Sequence, residues 1–132
     1  ITDEEYDSIV TAVLKIDEII EREAAKNGLI HVDGKKEFAL GPGRKVVLVD
    51  TFGTLDEDRW WDAEAYANGE CIELSKEFVR THYINTGHQA NLKAARDAGT
   101  DDPPIPALPQ SVIDETAALY ASMYERLTSE TF

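Results

Sequence analysis

Apolar positions along the chain recur with two different periods, and the switches between them divide it into elements. Tyr6, Ile9, Val10, Val13, Ile16 (or Leu14) and Ile20 fall three and four residues apart, which predicts a helix with one apolar stripe. Thr2 and Glu5 form a capping box at its start, and Asp3 and Glu4 sit at the positive end of its dipole. Asn27-Gly28 supplies a left-handed stop. "LIHVD", Leu29 to Asp33, is too short and too β-branched to prolong that helix. Then "KKEFAL" and "KVVLVD" flank Gly41-Pro42-Gly43, which predicts an antiparallel hairpin with a loop of roughly three to four residues.

The second half is read in the same way. Thr51 to about Leu74 reads as a long loop, with Trp60 and Trp61 as core anchors at its return. Ser75 is a plausible N-cap for a helix over "KEFVRTHYIN" that ends near Gly87, and a short helix is expected over Ala90 to Ala98. "GTDDPPIPALP" has no regular structure, because its prolines remove donors and fix φ. Pro109 primes a last helix whose stripe is Val112, Ile113, Thr116, Leu119, Tyr120, Met123 and Leu127, with Tyr120 and Tyr124 in the core or at its rim. The fold class expected is α+β: an antiparallel hairpin or small sheet packed against about four helices.

Composition narrows the function. A chain of 132 residues is one domain in size, and its net charge of −13 with pI near 4.5 disfavours nucleic acid and anionic membranes as partners. The acidity fits a soluble protein that binds cations, or a high-salt cytoplasm. Cys71 is the only cysteine, so no internal disulfide forms and a reducing, cytoplasmic setting is expected. The glutamates flanking it, Glu70 and Glu73, do not favour a nucleophilic thiolate. The chain begins at Ile1 without methionine, which suggests a processed or excised part of something longer.

Several residues have the chemistry for a site. Glu37 and Asp50 lie on the two arms of the hairpin at similar distances from its turn, so they can approach across the sheet. A pair of carboxylates with no other ligand type suits Mg²⁺, whose remaining positions go to water and phosphate; the plainer reading is two separate exposed acids. Lys35 shares a strand face with Glu37, either as a phosphate contact or as a surface ion pair. Lys76 and Arg80, four apart on a helix, face one way, and a base in the first turn gains nothing from the dipole, which hints at an anionic ligand. Arg59 follows Asp56-Glu57-Asp58 and either neutralises those acids or grips a phosphate or carboxylate. His31, His82 and His88 lack zinc-ligand spacing, and the acids Asp56 to Asp62 lack the spacing and glycine of an EF-hand.

In their order along the chain, "NGLIHVDGKKEF", "LVDTFGTLDEDRWW", "ELSKEFVR" and "LPQSVIDETAALYASMYERLT" resemble the C-terminal part of the phosphoribosylaminoimidazole-succinocarboxamide synthase (SAICAR synthetase) family. The family patterns read roughly "GLILVDTKFEFG", "LVDEVLTPDSSRFW", "SFDKQFVRDW" and "YIEAYERLTG". The match covers essentially the whole chain and is strongest over Gly28 to Arg80 and Pro109 to Thr128. The chain departs from the patterns at Ala39, Thr51, Leu55 and Ser75, and at Glu57-Asp58, two acids in place of two serines. In these respects it looks like an archaeal variant.

The resemblance implies a ligase of purine biosynthesis. ATP activates the carboxylate of carboxyaminoimidazole ribonucleotide as an acyl phosphate, and the amine of L-aspartate forms the amide, releasing ADP and phosphate. It also implies site residues. Glu37 and Asp50 would hold the nucleotide-bound Mg²⁺, Lys35 would lie by the nucleotide, Arg59 would meet the imidazole substrate, and Lys76 and Arg80 would line the substrate pocket. Asp50, Arg59 and Lys76 would be the catalytic group. Residues 1–132 would be the C-terminal portion of the fold, with the N-terminal nucleotide-covering region supplied by another chain or a cleaved segment. The chain alone is then expected to lack synthase activity, and self-association is left open. The alternative is a non-catalytic binding or assembly module with the same fold.

Overall fold

A computed structural model describes residues 1–132. The first helix, α1 (Asp3–Lys26), begins as its sequence dictates: Thr2 Oγ1 accepts the Glu5 N–H at 3.2 Å, and a Glu5 carboxylate oxygen accepts the Thr2 N–H at 2.8 Å. It ends at Asn27, and Gly28 takes φ +67, which admits the reversal into β1 (Leu29–Gly34). The hairpin forms as β2 (Glu37–Leu40) and β3 (Val46–Val49), antiparallel and in register from Glu37↔Val49 to Leu40↔Val46. The loop between them runs from Gly41 to Lys45, longer than the three to four residues expected, because Pro42–Arg44 wind into a 3-10 turn with Gly43 at φ +70. Arg44 then reaches back to α1 and grips both carboxylate oxygens of Glu5 at 2.7 and 2.8 Å, which holds that carboxyl down to about 2.

The segment expected to be one long loop is not. It contains a strand, β4 (Asp58–Asp62), and a short helix, α2 (Ala63–Ala67), so there are five α-helices rather than about four. β4 pairs antiparallel with β1, and the two form a second two-stranded sheet beside the hairpin. The sequence hides β4 because its inward positions alternate as Asp58 and Trp60, an acid where an apolar residue is the usual signal. Asp62 caps α2 by accepting the Ala65 N–H at 3.0 Å.

Three helices complete the chain: α3 (Glu77–Asn85), α4 (His88–Ala98) and α5 (Gln110–Thr128). Ser75 is fully buried, and its hydroxyl accepts the Glu77 N–H at 3.3 Å, but the residue in the cap position of α3 is Lys76. α4 starts at His88, two residues before the expected Ala90, because Gly87 at φ +80 turns the chain directly into it. The fold is α+β, as the sequence predicts.

The core is small. Ala24, Leu29, Leu55, Trp60 and Met123 are buried together, flanked by Ile20, Leu74, Leu119, Tyr120 and Leu127. Arg126 of α5 ties three ends at this core, donating to the carbonyls of Asn27 and Gly28 and to the Asp62 carboxylate. The N-terminal half of the α1 stripe does not enter this core: Tyr6 is 57% exposed and Leu14 66%. No helix is long and apolar enough to cross a membrane.

Candidate functional site

The hairpin brings three of the expected residues to its open end. Glu37 faces Val49 across the ladder, and Asp50 is the next residue along, so the two acids are neighbours in register. Asp50 leaves the strand at φ +68, and its carboxylate accepts the Thr51 N–H at 2.9 Å. An aspartate tolerates this left-handed geometry better than most residues, which explains the type of residue at this corner. Lys35 is ion-paired with Glu37, and that bond, followed by the charges of Glu37, Glu57 and Asp50, raises the lysine above its ordinary pKa. Both side chains of the Lys35–Glu37 pair are about half exposed, so the pair itself adds little stability.

This corner can hold a cation through carboxylate oxygens and an anion through one ammonium. No third His, Cys, Asp or Glu completes a protein cage. A metal bound here would draw most of its ligands from water and phosphate, as Mg²⁺ does when one or two carboxylates hold it.

Of the two readings of Arg59, the structure removes the one in which it neutralises the neighbouring acids. On β4 it points to the opposite face from Asp58, and it pairs with Asp33, its register partner on β1. Nε donates to Oδ1 at 2.8 Å and Nη2 to Oδ2, a two-pronged grip that holds the Asp33 carboxyl below its usual range and the guanidinium above its own. Glu77 and Glu73 also act on Arg59 through their charge. Lys76 donates to the carbonyl of Asp56, and Arg80 to Glu77. Lys76 and Arg80 line one cleft of about 370 Å³ with Tyr83, His88, Leu92 and Ile105. The expected residues therefore gather in two groups, Lys35, Glu37 and Asp50 on one side and Arg59, Lys76 and Arg80 on the other. Lys76 holds the loop from Thr51 to Glu57 at the Asp56 carbonyl. Tyr120 of α5 braces that loop by donating to Asp56 Oδ1 at 2.8 Å, and burial followed by this bond pushes its hydroxyl up to about 12.

Sequence reasoning missed Asp58. Its side chain is wholly inside, and Oδ2 accepts from His31 Nε2 at 2.9 Å, from the Gly53 N–H at 3.0 Å and from Lys36 Nζ at 3.3 Å. His31 is itself buried, packs its ring tilted against Trp60 at 4.9 Å between centroids and turns Nδ1 to Asp17 at 3.0 Å. Lys36 keeps only 5% of its side chain in solvent. Glycine is required at position 34, since a Cβ there would lie 2.2 Å from Asp58 Oδ1. A buried carboxylate so costly to desolvate persists because every partner is in place. A histidine in an apolar strand and a glycine and extra lysine at its end were the available signals.

Known proteins match this chain in sequence and in shape. The family model for SAICAR synthetase matches residues 1–96. Phosphoribosylaminoimidazole-succinocarboxamide synthase of Thermoplasma acidophilum is 50% identical over 130 residues, which is 98% of this chain and 44% of that protein. Its counterpart in Thermoplasma volcanium is 48% identical over the same shares. The chain thus spans less than half the length of the curated relatives it matches. A SAICAR synthetase solved in complex with ADP superposes with a TM-score of 0.65 at 26% identity, over 100% of this chain and 41% of that one. With motifs, fold and relatives in agreement, the chain belongs to the SAICAR synthetase family.

Proposed function

We propose that this chain is the C-terminal portion of an ATP-dependent ligase that joins L-aspartate to carboxyaminoimidazole ribonucleotide, giving SAICAR, ADP and phosphate. The observation that carries the reading is the open end of the hairpin, where Glu37 pairs with Lys35 and Asp50 follows Val49, the register partner of Glu37. Its donor set fits Mg·ATP: two carboxylates for the metal and an ammonium for a phosphate. The ADP complex of a structural relative supports a nucleotide as ligand.

On this reading Glu37 and Asp50 hold Mg²⁺, which when bound neutralises phosphate charge. Lys35 meets a phosphate oxygen. Arg59 orients the anionic imidazole substrate, and Lys76 and Arg80 supply further positive charge along their cleft. The protein contributes positioning and charge complementarity, which suffice for large accelerations in phosphoryl and acyl chemistry. A separate preceding portion covers the nucleotide and adds cations, which suits a chain of net charge −13 handling anionic substrates. Of the two acids that depart from the family pattern beside Arg59, Asp58 is turned inward and only Glu57 keeps solvent exposure.

The test is ATP- and aspartate-dependent product formation by the chain joined to its preceding portion. Glu37→Gln and Asp50→Asn are each expected to lower the rate by ~10² or more. Unchanged rates would remove the metal assignment, and nucleotide binding without turnover would favour the binding module.

A further inference from the structure

Asp58 belongs to neither group of the candidate site. Its carboxylate is 0% exposed, so it meets no substrate. Its contacts reach three segments: His31 within β1, Lys36 in the link before β2, and Gly53 in the loop after β3. Two of these contacts adjoin the acid pair. Lys36 immediately precedes Glu37, and Gly53 is three residues beyond Asp50. The cation at Lys36 is further fixed over the Phe52 ring at 5.6 Å from its centroid. His31 is braced from α1 by Asp17, and Gly34 lets the backbone approach the carboxylate. One buried oxygen, Oδ2, therefore collects bonds from the segment that leads into Glu37 and from the segment that follows Asp50.

We propose that Asp58 is a positioning residue: by binding Lys36 and the Gly53 N–H at once, it sets the separation of Glu37 and Asp50 and so tunes the affinity for magnesium nucleotide. The inference rests on the functional reading above and adds a residue that touches neither metal nor nucleotide. A displacement of about an ångström at such a pair is enough to matter, because ligand geometry around Mg²⁺ is strict. Removing Asp58 alone would strand a buried ammonium, so the informative variants neutralise both partners together.

The experiment uses the complete protein and Mg·ADP as the probe. Because coupling between binding events is reciprocal, nucleotide binding is expected to slow hydrogen exchange of the Gly53 N–H by about tenfold in the unmodified protein. The double variant Asp58→Ala/Lys36→Met is expected to bind Mg·ADP about tenfold more weakly. Asp58→Asn/Lys36→Met keeps a carbonyl for Gly53 and His31, and is expected to recover affinity to within about threefold of the parent. A residue that served folding alone would leave the two double variants equal in affinity. Equal affinities, or Gly53 exchange indifferent to nucleotide, overturn the proposal, and the exchange measurement stands even where the alanine variant melts. Failure of the unmodified protein to bind Mg·ADP overturns the functional reading instead, and the inference with it.

Discussion

Asp33 and Arg59 are opposite one another on β1 and β4, and the guanidinium spends Nε and Nη2 on the two carboxylate oxygens. The fork is thereby aimed by the sheet, and Nη1 remains for a ligand.

On the proposed reading, Arg59→Lys should weaken binding of a phosphate-bearing imidazole ribonucleotide by about tenfold, because an ammonium cannot hold Asp33 and a ligand in one plane. Titration calorimetry on the complete protein would measure this. An unchanged affinity would place the substrate elsewhere.

Gly34 is the second point of strict geometry. Gly34→Ala should lower stability by roughly 1–3 kcal/mol, the usual range for overpacking, since the added methyl meets a carboxylate pinned by three donors. Urea melts would show it as a lower midpoint with the slope unchanged. A midpoint equal to that of the parent would mean that Asp58 can yield.

Tyr120 gives the fold an alkaline limit. Its hydroxyl titrates near 12 in the folded chain against an ordinary 10.0, so folding favours the neutral form. The resulting stability is whole below pH 10 and is lost as pH rises from 10 towards 12. Tyr120→Phe should abolish that part of the alkaline loss, together with a late-titrating component in the near-ultraviolet phenolate absorbance. If the late component survives the substitution, the assignment is wrong.

The legible parts of this chain are those decided within a few residues. The capping box of α1 and the Gly-Pro-Gly hairpin rest on local chemistry and form, and the stripe of α5 forms over Leu119, Tyr120, Met123 and Leu127 while Ile113 and Tyr124 stay exposed. That Glu37 and Asp50 share one end of the hairpin is also legible locally, because the turn fixes which residues meet there. The ion-pair partners of Arg59 and Asp58 are not legible locally, for the opposite reason. They lie at Asp33, His31 and Lys36, more than twenty residues away, and only the β1–β4 register brings them together. Two buried bases, His31 and Lys36, and one buried acid, Asp58, form a single bonded set. No single position in that set announces its role.

The uncovered apolar side chains of α1 and the hairpin have a practical meaning. Tyr6, Val10 and Leu14, with Leu40, Val47 and Val49, stand in water on a polypeptide of net charge −13. Like-charge repulsion between molecules opposes their sticking together, and added salt shortens the reach of that repulsion to a few ångströms. Solutions of the isolated 132-residue chain should therefore be clearest in dilute buffer and turn cloudy as ionic strength rises, a behaviour set by colloid physics rather than by any change of fold.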